Sequence, residues 1–147
     1  MKPVLRWKNN MQFEAESDGH AVLMDAKSPI GHGKAMTPKE LVAVGLGGCT
    51  AMDVVALFKK HKQEVKSFEV SVDITPSKGK HPMVFEKAVI EFNAEGSIDS
   101  KLYLEAVELS QTKYCGVSAM MLKAFPIEYK VILNNEMIGE GHAKFES

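Results

Sequence analysis

The feature that most limits what this chain can become is an apolar stretch from Leu41 to Met52. It continues past one charge, Asp53, to Phe58. Thr37 can cap a helix here, Pro38 suits its first position, and Glu40 stands at its third. The run therefore predicts a helix from Thr37-Pro38 to about His61, with Lys59, Lys60 and Lys62 at its negative end. It is apolar almost all round until Asp53, so burial on most sides is expected. A membrane span needs roughly 20 apolar residues. This run is interrupted by Asp53 and loosened by Gly45, Gly47 and Gly48, so a buried helix is the reading preferred.

A chain of 147 residues with 45% hydrophobic content supports one core, and a single continuous domain over residues 1–147 is expected. Short β-type runs at Val4 to Lys8, Gln12 to Glu16 and His20 to Asp25 are separated by Asn9-Asn10 and by Ser17-Asp18-Gly19. They predict a three-stranded meander. Residues Lys27 to Met36 read as a loop. Phe68, Val70, Val72 and Ile74 alternate with polar residues as a half-buried strand. A turn follows from Pro76 to Pro82, then a strand from Met83 to Asn93. The apolar phase of that strand shifts between Phe85 and Ala88, which calls for a bulge near Glu86 and Lys87. Asp99 or Ser100 opens a helix through about Tyr114, broken at Gly116. A short helix from Val117 to Ala124 and a last strand from Ile127 to Leu133 complete an α+β order of β-β-β-α-β-β-α-α-β.

Charge excludes some functions. The net charge is −1 and Arg6 is the only arginine. No basic stripe is interleaved with aromatics, so neither a nucleic-acid partner nor an anionic membrane surface is expected. The N-terminus lacks the apolar segment of a secretory signal, which points to the cytoplasm. In that reducing compartment the two cysteines, Cys49 and Cys115, are either inert or redox-active. The five histidines are dispersed and the cysteine spacing is not zinc-like, so no metal and no cofactor are expected.

Cys49 lies in Gly47-Gly48-Cys49-Thr50, with Gly45 four residues earlier on the same helical face. The thiol would then sit on a strip nearly free of side chains. That strip suits a second helix, a partner subunit or a slender ligand. Cys115 lies in Tyr114-Cys115-Gly116-Val117-Ser118, where a helix start would lower its pKa. On local sequence alone, both read as small core residues. Asp53, four residues after Cys49, is expected to face solvent or a lysine.

Thr37-Pro38-Lys39-Glu40-Leu41, Gly47-Gly48-Cys49-Thr50 and Tyr114-Cys115-Gly116-Val117-Ser118 together resemble the OsmC/Ohr family of osmotically inducible and organic hydroperoxide resistance proteins. The closest resemblance is to the OsmC-like branch with a Gly-Gly-Cys-Ser/Thr motif. It implies an intertwined homodimer, its central helices buried and wrapped by antiparallel sheets. It also implies a peroxidase in which Cys49 attacks an organic hydroperoxide, Cys115 resolves the sulfenic acid, and a dithiol reductant restores both. Two residues depart from the family pattern. No arginine occupies the early-strand position near Phe13, and Glu40 stands one residue later than the family's glutamate, with Lys39 in its place. Glu40 then either replaces that glutamate as an orienting residue or only caps the helix. The alternative function is a non-enzymatic stress-related dimer that binds a small hydrophobic or thiol-reactive ligand; Phe13, Met52 and Met120 are candidates to line its pocket, while core packing is the ordinary role for each.

Overall fold

The computed structural model describes residues 1–79 and 81–146. The chain forms two compact units, Met1–Ala43 and the residues from Val44 onward.

In the first unit, strands β1 (Val4–Asn9), β2 (Gln12–Ser17) and β3 (His20–Met24) form an antiparallel sheet in the order β1-β2-β3. The β2–β3 connection is the two-residue loop Asp18-Gly19, with φ of 52° and 79°. Positive φ at both positions matches the strand twist, which is why Asp-Gly makes this hairpin. The register aligns Leu5 with Ala15 and Val22, and Trp7 with Phe13 and Met24. One face of the sheet is thus apolar. Ion pairs between Arg6 and Glu16 (3.0 Å) and between Lys8 and Glu14 (3.5 Å) hold β1 to β2.

The loop after β3 folds around the buried Asp25. Its carboxylate accepts from the backbone N–H groups of Ala26 (2.8 Å) and Lys34 (3.2 Å). The Lys34 bond is the main reason its pKa lies below the usual carboxylate value. Helix α1 (Pro38–Lys60) then begins where the cap residues place it.

The second unit carries the core. Strands β4 (Glu64–Pro76), β5 (Phe85–Ser97), β6 (Ile127–Leu133) and β7 (Glu136–His142) pair in the order β4-β5-β6-β7. The expected bulge is present: Thr75 pairs with Lys87 but Pro76 pairs with Phe85, leaving Glu86 over. The sheet is mixed rather than purely antiparallel, because β5 and β6 run parallel. A parallel pair needs a long crossover, which the two helices between them supply. Phe92 stands beside Val70 and Val131, and Ile90 beside Val72 and Tyr129. Against this face lie Leu46, Val54 and Phe58 of α1 and Tyr103, Ala106 and Val107 of α2 (Ser100–Leu109). Asp99 caps α2 through its side chain, accepting from the Leu102 N–H at 2.8 Å.

Strand β7 has no counterpart in the expected order. Its hairpin, Asn134-Asn135, has φ of 49° and 67° and repeats the two-residue turn logic. Two glycines disguise the strand. At Gly139, a Cβ would collide with Leu104 of α2, so close packing of helix on sheet excludes a side chain there.

Helix α1 differs from expectation in its burial. Only Leu46, Gly47, Thr50, Val54 and Phe58 are buried, a single stripe at helical spacing. Only 22% of its apolar stretch is buried within the chain. By length and composition alone the helix is able to cross a membrane. One chain covers one face of it, and Val44 and Met52 remain exposed.

Candidate functional site: a dithiol beside a carboxylate

Two elements of the second unit bring the cysteines together. Cys49 and Asp53 are i and i+4 on α1 and share a face. Cys115 arrives from the far end of α2. That helix does not run smoothly to Tyr114, as its sequence suggests. It passes at Ser110–Tyr114 into a π-helical turn, in which the Cys115 N–H reaches the Ser110 carbonyl at 2.9 Å. Such turns insert a residue into the helical register and re-aim the chain beyond them, often at functional sites. Here the turn places Ser110 and Gln111 in the interior. It delivers Cys115 in extended conformation (φ −70°, ψ 97°) as the N-cap of α3 (Gly116–Met121). The helix break thus falls at Cys115, and Gly116 opens the next helix.

The sulfurs of Cys49 and Cys115 and a carboxylate oxygen of Asp53 all lie within 4.8 Å of one another. Cys115 is buried and Cys49 half-buried, and both are free thiols. A disulfide needs sulfurs ~2.0 Å apart. The 4.8 Å limit therefore leaves at most about 3 Å of side-chain travel to close one.

Asp53 does not turn to solvent or to a lysine, as its sequence position suggests. It is anchored by a chain of hydrogen bonds. The Ser110 hydroxyl donates to Asp53 Oδ2 at 2.8 Å. That single proton is then committed, so Thr50 Oγ1 donates to Ser110 Oγ at 2.7 Å and Gln111 Nε2 donates to Thr50 at 2.8 Å. Thr50, Ser110 and Gln111 are fully buried. A buried chain with one polarity fixes every rotor along it, and each bond polarises the next. Of these groups, sequence reasoning named Thr50 as part of the cysteine motif and singled out Asp53. The i+4 spacing from Cys49 was the available signal for it. Ser110 and Gln111 gave none, because the π-turn that buries them is not written in hydrophobic periodicity.

The electrostatics of Cys115 also differ from expectation. Its Sγ accepts from the Ser118 N–H at 3.3 Å, as a helix N-cap should, and this favours the thiolate. Burial outweighs it. Desolvation is the largest effect and the Cys49 thiol adds to it, so the pKa of Cys115 is pushed up to about 11. Cys115 is a protonated thiol at neutral pH.

Glu40 lies in the first unit, at the start of α1. Its carboxylate accepts from the Thr37 N–H at 2.7 Å while Thr37 Oγ1 accepts from the Glu40 N–H at 3.2 Å. This is a reciprocal capping box. Lys27 Nζ pairs with Glu40 at 3.1 Å. The Thr37 backbone bond, followed by Lys27, holds the Glu40 pKa down to about 2.

The glycines around Cys49 divide by role. A Cβ on Gly47 would lie 2.9 Å from Val72 Cγ2, so Gly47 permits the helix to sit on β4. A Cβ on Gly45 or Gly48 would meet nothing within 4 Å. The strip beside Cys49 is open within one chain.

A profile of the OsmC-like protein family matches residues 31–130. Protein YhfA of Escherichia coli K12 is 34% identical over 136 residues, covering 90% of this chain and 98% of YhfA. A hypothetical protein from Aquifex aeolicus has a crystal structure that superposes with a TM-score of 0.76 at 28% identity, covering 90% of this chain and 96% of that one. An organic hydroperoxide resistance protein from Legionella pneumophila shares the fold at a TM-score of 0.63 and 13% identity, covering 90% and 97%. Motifs, topology and these likenesses agree: the chain belongs to the OsmC-like protein family.

Proposed function

We propose that this protein is a cytoplasmic dithiol peroxidase that reduces organic hydroperoxides. The observation that carries this reading is the pair of sulfurs from two separate helices, held with a carboxylate inside a 4.8 Å cluster. Cys49, the more exposed thiol, attacks the terminal peroxide oxygen as thiolate. The O–O bond breaks, the alkoxide takes a proton and leaves as alcohol, and Cys49 becomes a sulfenic acid. Cys115 then attacks that sulfur. Its proton and the hydroxyl leave as water, and a disulfide joins the two residues. A dithiol reductant restores both thiols by exchange. Asp53 stands close enough to take part in moving these protons. Glu40 acts at a distance, by fixing where the cysteine helix begins.

The working form in this reading is a homodimer of single OsmC-like domains spanning residues 1–147. The uncovered apolar side of α1, the open strip at Gly45 and Gly48 and the exposed Trp7 all favour it. Exposed contiguous apolar surface is a standard mark of an association face.

With excess dithiol the purified protein should consume cumene hydroperoxide, and Cys49→Ser should lower the rate by at least about a thousandfold. One equivalent of hydroperoxide should yield a Cys49–Cys115 disulfide by mass spectrometry. Equal turnover by Cys49→Ser rejects the assignment. A second reading, a non-enzymatic dimer that binds a small hydrophobic or thiol-reactive ligand, is favoured by the engagement of the chain's only arginine, Arg6, with Glu16. Thiols that stay free after the oxidant would select it.

A further inference from the structure

We propose that the reduced Cys49–Asp53–Cys115 cluster is a binding site for one soft divalent cation of the zinc class. Zinc binds thiolate sulfur at ~2.3 Å and carboxylate oxygen at ~2.0–2.2 Å in tetrahedral geometry. Donor atoms around one such ion therefore stand roughly 3.5–3.8 Å apart. Two sulfurs and a carboxylate oxygen, all within 4.8 Å of one another, meet that requirement after only small side-chain shifts. Three protein ligands leave a fourth position for water or a small anion. Two thiolates select against magnesium and calcium, which prefer all-oxygen sites.

A second, independent observation is the support behind these donors. Metal-ligating side chains are usually held by an outer layer of hydrogen bonds that fixes their orientation. Asp53 has such a layer: the Ser110 hydroxyl holds Oδ2, backed by buried Thr50 and Gln111. The sulfur of Cys115 has one in the Ser118 N–H. Gln111 and Thr50 bring no charge that would oppose a cation. Core packing alone gives no reason for so ordered a polar chain to end on a carboxylate beside two thiols.

Binding is an exchange of protons for metal. The two thiols lose their protons, two sulfur–metal bonds form, two protons enter solution, and nothing is oxidised or reduced. A Cys49–Cys115 disulfide removes both sulfur donors, so metal loading and oxidation exclude each other. The inference does not rest on hydroperoxide turnover: a chain that binds metal but reduces no peroxide leaves it standing.

The test uses the full chain, reduced and metal-free, titrated with Co2+. Saturation is expected at one ion per chain, with a near-ultraviolet thiolate-to-cobalt charge-transfer band and release of about two protons, followed by displacement with Zn2+. Cys49→Ser should abolish the band. Asp53→Asn, which preserves side-chain size, should weaken binding at least tenfold, and Ser110→Ala by about 10–100-fold through loss of the outer layer. Absence of the band in the reduced wild type overturns the inference. So does an undiminished band in Cys49→Ser, or unchanged affinity in Asp53→Asn.

Discussion

The two sheets are made from similar short, turn-bounded strands, yet they treat their apolar side chains in opposite ways. In β4–β7, Ile90, Phe92 and Val131 are fully buried beneath two helices. In β1–β3, Trp7 is 66% exposed and Leu5 54% exposed, although the register gathers both on one apolar face. The second sheet is held by its own core. The first is held by tight turns and surface ion pairs, and a small sheet held that way is marginal alone. The contrast separates what one chain stabilises from what an assembled protein would have to stabilise.

The largest effect should come from breaking the self-sufficient side. Phe92→Ala removes a fully buried ring and should cost about 3–5 kcal/mol. Urea unfolding should show the same loss at low and high protein concentration, because the core lies within one chain.

Trp7→Ala should behave differently. An exposed side chain contributes little to one chain, but a tryptophan within an association face often contributes about 2 kcal/mol or more. If the proposed homodimer uses this face, the expected result is weaker dimerisation by sedimentation and a lower unfolding midpoint at any given protein concentration. An unchanged mass and midpoint would show that the apolar face of β1–β3 is not covered by a partner.

The buried thiol gives a pH signature for the second unit. Folding raises the Cys115 pKa from an ordinary 9.0 to about 11, so the native state holds its proton more tightly than the unfolded chain. Stability from this source is complete below about pH 9 and is lost as pH rises towards about 11, on the order of 2 kcal/mol in all. Other groups ionise in that range, so the measurement is the difference between wild type and Cys115→Ala. The two alkaline unfolding curves should converge in slope only if desolvation of Cys115 has been misjudged.

Legibility in the sequence followed the same division. Turn chemistry and alternation revealed the meander, the β5 bulge and the start of α1, because those signals are local and Thr37-Pro38, Asp18-Gly19 and the phase shift before Ala88 state them outright. Strand β7 stayed hidden although Asn134-Asn135 repeats a visible turn signal, because Gly139 and Gly141 answer to packing from α2 and from Tyr129. The cysteine pair was legible through its motifs. Its surroundings were not: the π-turn that buries Ser110 and Gln111 has no period of its own, and the balance between burial and helix N-cap at Cys115 is decided by tertiary packing. Within one chain only a single stripe of α1 is buried, because an all-round apolar sequence does not say which of its faces the fold will cover.

The smallest predicted effect tests the first unit's polar organisation. Thr37→Ala removes the hydroxyl that accepts from the Glu40 N–H, and should cost about 1 kcal/mol. The backbone N–H of residue 37 still donates to the Glu40 carboxylate, so that group should keep most of its depressed pKa. Carboxyl NMR titration separates the two halves of the box. Glu40 in wild type should titrate near 2, well below its ordinary 4.5. The stability its charge contributes is therefore present above 4.5 and is lost as pH falls through about 2. In Thr37→Ala the titration should move only slightly upward while stability drops. A return of Glu40 to 4.5 in that variant would mean that the hydroxyl, rather than the backbone bond, organises the helix start.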